Sequence, residues 1–300
     1  MELRRLLGVG ALTLLLGISA HAQPITVRDG AGLPVTVRAP AQRVASLISS
    51  TIDIIVALGA ADRIVARTRY DTASVIARAA NVGGGIDPSI EIVLAARPDL
   101  FIAWNGQAGS PVVSRMRALG IPVYLVDTKD TTALYATIRD LGALLGTTPR
   151  ATAAANTLRR ELRAIAAQSA GTPRVKAVYV ISRSPVIISA ARSYMAELIG
   201  VAGGDNPFRD VPGEFPTMSL ESFIARDPDV LIVGHGATPG RQLATMRQTP
   251  GWRDLRAVRT GAVIEVDGEQ WGRPTLRFGA LLRELATELR RIAPQAVRRP

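Results

Sequence analysis

The chain has 300 residues, is 47% hydrophobic and contains no cysteine, which excludes a disulfide framework, a thiolate metal centre and a cysteine nucleophile. Its formal charge is +11, but the basic residues are scattered and aromatics make up only 4%, so no nucleic-acid partner is expected. Lys129 and Lys176 are the only lysines; the charge reads either as biased arginine usage or as a basic surface or cleft that attracts an anionic ligand.

Residues 1–22 carry Arg4 and Arg5, an apolar stretch over 6–20, and Ala20-His21-Ala22, a small-x-small cleavage pattern. This predicts a signal peptide cut after Ala22, because the stretch is short for a membrane span of about 20 residues. The absence of cysteine excludes a lipid-modified N-terminus. A soluble, periplasmic, monomeric protein of charge +10 is expected once Glu2, Arg4 and Arg5 are removed.

Segment 25–37 alternates apolar and polar residues around Asp29-Gly30 and predicts a β-hairpin. A strand over 43–47, a helix over 51–58 closed by Gly59, and a strand over 63–66 follow. Next comes Ser89-Ile-Glu-Ile-Val-Leu-Ala-Ala-Arg-Pro-Asp-Leu-Phe-Ile-Ala-Trp104: apolar residues at helical spacing, a Pro-Asp turn, then a continuous apolar run. A helix over 111–119 and a strand over 121–126 complete an alternation that indicates a mostly parallel sheet flanked by helices.

From Thr131 the pattern becomes a long helical tract, broken at 146–149 and resumed through 168, with Pro149 suited to a first turn. Leu158, Leu162 and Ile165 line one face. Such a helix of about 20 residues is about 30 Å long, enough to join two lobes as a stiff connector. An α/β pattern restarts over 174–181, and the earlier unit returns without a gap, 130 positions on, as Ser219-Leu-Glu-Ser-Phe-Ile-Ala-Arg-Asp-Pro-Asp-Val-Leu-Ile-Val-Gly234. A helix over 276–292 closes the chain. One unit used twice predicts two α/β lobes with matching sites face to face. The expected division is an N-terminal lobe over 23–146, a connecting helix over 147–170 and a C-terminal lobe over 171–300.

The order and spacing of Arg43-Val-Ala-Ser-Leu, Ile54-Ile-Val-Ala-Leu-Gly-Ala-Ala-Asp-Arg-Ile-Val65, Val82-Gly-Gly, the repeated Pro-Asp unit, Leu119-Gly-Ile-Pro-Val123, Ala202-Gly-Gly-Asp-Asn206 and Pro250-Gly-Trp-Arg-Asp-Leu-Arg-Ala-Val258 carry a resemblance. The chain resembles the helical-backbone, class III periplasmic binding proteins that deliver vitamin B12, ferric siderophores or haem to ABC importers. The resemblance implies two Rossmann-like lobes with central sheets joined by one long helix, and a permease with its ATPase as partners. A single helical connector permits bending rather than wide opening.

Open parallel sheets bind ligands beyond the carboxyl ends of their strands. That rule offers Tyr70, Asp71, Trp104, Asn105 and Gln107 in the first lobe. In the second it offers Arg183, Arg192, Phe215, His235 and the turn Gln270-Trp271-Gly-Arg273. The resemblance places Trp104 and Phe215 where vitamin B12 binders have pocket aromatics, and Tyr70 in a loop that they use. Aromatics suit a large planar or chelate ligand, and cleft arginines could pair with carboxylates or phosphates; Trp252 reads instead as a structural turn. Gly85 stands where ferric hydroxamate binders can present an arginine, and near Ile187 and Ile188, where a B12 binder can have an aromatic, this chain is aliphatic. Cobalamin, ferric siderophore and haem therefore all remain open. Glu91 and Glu221 sit at equivalent places in the two units, either as favourable charges at helix N-termini or, as the resemblance implies, as contacts to permease arginines.

An enzyme has little material here. His235 is the only histidine after cleavage, and there is neither a Gly-x-Ser-x-Gly elbow nor a phosphate-binding P-loop. No resident cofactor or metal is expected. His235 is either an axial ligand to haem iron, with Tyr70 opposite, or a loop histidine. An exported structural protein is the remaining alternative.

Overall fold

A computed structural model describes residues 23–190, 192–236 and 238–297; the expected signal peptide lies outside them. The chain opens with strands β1 (Ile25–Arg28) and β2 (Pro34–Val37), paired antiparallel from Ile25↔Val37 to Arg28↔Pro34. Asp29 builds their turn by accepting the backbone N–H groups of Ala31 and Leu33 at 2.9 and 2.8 Å.

Strand and helix then alternate through β3 (Val44–Ser46), α1 (Ser49–Ala57), β4 (Ile64–Arg67), β5 (Ala80–Asn81), α2 (Ile90–Ala95), β6 (Leu100–Trp104), α3 (Pro111–Ala118) and β7 (Val123–Val126). The five strands make one parallel sheet in the order β5-β4-β3-β6-β7. On β6, Phe101 and Ala103 enter a core with Val93, Val113 and Met116, while Leu100 and Ile102 face the opposite core with Ile52, Ile55 and Leu141. Both faces are covered, which is why the strand reads as an unbroken apolar run.

Two helices follow, α4 (Thr131–Leu144) and α5 (Thr148–Ser169). Gly146 at φ 65° ends the first, and Pro149 lies in the opening turn of the second. The 22 residues of α5 span about 33 Å. Its buried stripe of Ala151, Leu158, Leu162 and Ile165 belongs to a single apolar core that contains residues of both lobes.

The second lobe contains β8 (Val175–Arg183), β9 (Val186–Ile188), α6 (Tyr194–Val201), β10 (Gly204–Asp205), β11 (Thr217–Met218), α7 (Leu220–Arg226), β12 (Val230–His235), α8 (Gln242–Gln248), α9 (Arg256–Thr260), β13 (Val263–Asp267), α10 (Gly268–Trp271) and α11 (Phe278–Val297). Its sheet runs β11-β9-β8-β12-β13, with β10 paired to the start of β8. β8, β12 and β13 are parallel, and β9 pairs antiparallel with both β8 and β11. α5 packs against α4, α6 and α11. Among the described residues no helix is long and apolar enough to cross a membrane.

The repeated unit folds alike in both lobes. Ser89 and Ser219 cap α2 and α7 by accepting the N–H groups of Ile92 and Ser222 at 3.3 and 3.1 Å. After each helix the Pro-Asp aspartate reaches the start of the neighbouring strand: Asp99 accepts the N–H groups of Gln42 and Arg43, each at 2.9 Å, and Asp229 accepts that of Lys176 at 2.8 Å. The aspartate thus satisfies orphan donors where each sheet begins.

Candidate functional site

The carboxyl ends of the parallel strands of both lobes converge on one cleft of about 1000 Å3. Leu47 to Ser50 follow β3, Tyr70 follows β4, Ile86 and Asp87 follow β5, Trp104 ends β6 and Thr128 follows β7. The second lobe contributes Tyr179 and Ile181 from β8, Ile187 from β9, His235 from β12, Glu269 and Arg273 after β13, and the Glu214-Phe215 segment. Among the described residues nine large apolar side chains are exposed, and five of them, Tyr70, Ile86, Trp104, Ile181 and Phe215, line this cleft. Exposed apolar surface gathered in a concavity marks a binding site.

Local hydrogen bonds set the walls. Asp71 accepts both the N–H and the hydroxyl of Thr68 at 3.0 and 2.6 Å, which closes a tight turn and leaves Tyr70 55% exposed. Gln107 accepts the Trp104 N–H at 3.2 Å and donates to the Gly85 carbonyl at 2.8 Å, tying the two loops together. A Cβ at Gly106 would lie 2.4 Å from the Trp104 ring, so glycine there is what lets the indole fold back over its own turn. A Cβ at Gly85 would lie 2.6 Å from the Leu47 carbonyl oxygen, so this loop as built has no room for the arginine that hydroxamate binders can present. Opposite, the Tyr179 ring stacks on Trp271 with centroids 6.3 Å apart, and burial pushes the Tyr179 phenol up to about 12.

Residues 44–269 match the periplasmic binding protein family. The chain belongs to that family. A vitamin B12-binding protein of Vibrio parahaemolyticus is 27% identical over 245 residues, which are 79% of this chain and 86% of the relative. Among solved structures, the periplasmic vitamin B12 binding protein BtuF of Vibrio cholerae aligns with a TM-score of 0.72 at 26% identity, covering 84% of this chain and 98% of that one. A periplasmic heme binding protein from Pseudomonas aeruginosa aligns at 0.74 and 25%, covering 84% and 94%. The family is one of binding proteins and not of enzymes, in line with the poverty of catalytic groups in the sequence.

In this periplasmic binding protein, Tyr70, Trp104, Phe215, His235 and Arg273, of the side chains that the sequence offered as ligand contacts, line the cleft. The others, Gln270 among them, do not. Trp271 is 2% exposed and packs inward, its carbonyl accepting the Tyr194 hydroxyl at 2.9 Å. Asn105 turns away and its amide reaches the Gly30 carbonyl at 3.5 Å. Arg183 ends β8 at the β8–β9 hairpin, and Arg192 lies exposed ahead of α6. Asp71 and Gln107 are buried turn-builders, and Trp252 is core, tilted against Phe223 at 5.2 Å. Ile86, Ile181 and Glu214 line the cleft without having been anticipated.

Glu91 and Glu221 are exposed in the first turns of α2 and α7. Their own backbone N–H groups, and then the Ser89 and Ser219 hydroxyls, hold both carboxyls below the ordinary glutamate value. Both therefore present full negative charge at neutral pH.

Proposed function

We propose that this protein is the periplasmic substrate-binding component of an ABC importer and that it captures a large metal chelate between its lobes, cobalamin first. The observation that carries the reading is the gathering of Tyr70, Ile86, Trp104, Ile181 and Phe215 in one cleft. A volume of about 1000 Å3 sits at the upper end of small-molecule sites, and flat apolar side chains suit the broad face of a corrin or an iron chelate. Glu91 and Glu221, one per lobe, are the contacts to the permease, where paired exposed charges set orientation and encounter rate. Ferric siderophore is the second ligand class. Haem is the third, supported by Tyr70 and His235 lining the cleft from different lobes.

The test is a thermal-shift and calorimetric screen of residues 23–300 against cyanocobalamin, ferric hydroxamates and haemin, since a ligand of the folded state alone raises the melting temperature by mass action. Stabilisation by cyanocobalamin is expected. A haemin complex whose absorbance changes on His235→Ala would assign the site to haem instead. A folded protein that no chelate stabilises would refute the reading.

A further inference from the structure

We infer that the cleft selects a neutral or cationic chelate over an anionic one, with Glu214 as the side chain that reads positive charge on the ligand. This deepens the chelate-capture reading above and rests on it.

The formal charge of +11 suggests the reverse, a basic cleft for an anionic ligand. The structure distributes that charge elsewhere. Among the described residues, Arg273 is the one lysine or arginine that lines the cleft, and its guanidinium is bound to Glu269 Oε2 at 2.7 Å. The lining includes three carboxylates, Asp87, Glu214 and Glu269. Asp87 has its own partner in Arg69 at 3.3 Å. With these two pairs closed, Glu214 is left: its carboxylate accepts no hydrogen bond and forms no ion pair among the described residues.

The neighbourhood of Glu214 sharpens the sign. Asp127, Lys129 and Asp130, on the loop after β7, are its electrostatic neighbours, and the Lys129 ammonium is already bound to Asp127 at 2.9 Å. Burial raises the Glu214 carboxyl first; Asp127 and Asp130 add to this and Lys129 opposes it.

Screening favours the charge that lines the cleft over the arginines that do not line it. Exposed charges are screened beyond about 8 Å at physiological ionic strength, whereas a ligand that fills the cleft displaces water and places its own charge against Glu214 between apolar walls, where the interaction is stronger than in water. An anionic arm placed there meets a like charge, and a cationic one gains a partner that the protein does not supply.

The experiment is calorimetry with residues 23–300 at pH 7 on two skeletons, each as a charge pair. One pair is ferrioxamine B, whose terminal ammonium is cationic, and its neutral N-acetyl derivative. The other is neutral cyanocobalamin and the anionic monocarboxylate made by hydrolysing one of its side-chain amides; haemin, with two propionates, is the fifth probe. On whichever skeleton binds, the more positive member is expected to bind about two- to fivefold tighter, the range of a partly exposed charge pair. Glu214→Gln, checked for an unchanged melting temperature, should erase that ratio while keeping the neutral ligand. An anionic member that binds as tightly as its neutral partner, a ratio that survives Glu214→Gln, or haemin as the sole ligand would each overturn the inference while leaving chelate capture standing. If none of the five binds, chelate capture itself fails and the inference falls with it.

Discussion

Arg97 and Asp227 stand 130 residues apart and are, among the described residues, the two non-glycine positions with a left-handed backbone, at φ 45° and 38°. Each follows its helix, with its N–H bonded back to the Leu94 or Ile224 carbonyl at 2.9 or 3.0 Å, and turns the chain into the Pro-Asp step of the repeated unit. Glycine is the usual occupant of such a position, and a larger residue costs about 1 kcal/mol there. Arg97→Gly should therefore stabilise the protein by about 0.5–1 kcal/mol in urea unfolding. Asp227→Gly should gain less or lose, because Asp227 Oδ2 accepts from Arg256 Nε at 3.1 Å. Equal gains would mean that this contact contributes nothing.

That repeat was legible in the residues because both sheets are covered on two faces, so Leu100 to Ala103 and Val230 to Val233 had to be continuously apolar. Depth within a loop was not legible. Trp271 and Arg273 are two residues apart at the end of a four-residue helix; the first turns inward onto Tyr179 and the second lines the cleft. Neither a strand-end rule nor a helical period distinguishes them over so short a span. Ile86 and Glu214 sit in irregular segments, where an apolar or acidic residue carries no period at all.

The two kinds of tryptophan separate experimentally. Trp104 and Phe215 are 50% and 40% exposed, so Trp104→Ala and Phe215→Ala should leave the melting temperature nearly unchanged while weakening ligand binding about tenfold each, a loss of about 1.4 kcal/mol. Trp271→Ala should instead destabilise the fold by about 3–5 kcal/mol. Calorimetry and thermal unfolding on the three variants check both halves.

Exposed Glu91 and Glu221 have no packing role, so Glu91→Lys and Glu221→Lys should not affect ligand affinity. If the two carboxylates dock the permease, the double variant should abolish uptake in reconstituted vesicles, and each single variant should reduce it by slowing association. Undiminished uptake with the double variant would remove the docking role.

Asp53 lies on α1 in a smaller cavity of about 460 Å3 beside the cleft, with Asp71, Arg273 and Arg277. Burial raises its carboxyl, against the opposing pull of Arg273 and Arg277. A carboxyl raised in the folded state holds its proton more tightly there, so its contribution to stability is present below the unfolded value near pH 4 and is lost as pH rises through the raised one. Asp53→Asn, which is always neutral, should thus melt higher than the parent at pH 7, and the gain should vanish on titration below about pH 4. A constant difference across that range would show that the charge of Asp53 is not the cause.

Glu197 of α6 accepts the Thr131 N–H and hydroxyl at 2.8 and 2.6 Å, so a second-lobe carboxylate caps the N-terminus of the first-lobe helix α4. Its negative charge meets the positive end of that helix, and with the apolar core around α5 it resists separation of the lobes. Glu197→Ala should cost about 1 kcal/mol, which lowers the melting temperature by about 2–4 °C in a chain of this size. Because the connector is a hydrogen-bonded helix embedded in that core, the lobes should stay close to their present spacing even without the cap. Small-angle scattering of the variant should therefore match the parent; a clearly larger radius of gyration would transfer the restraint on opening from the helix to this single carboxylate.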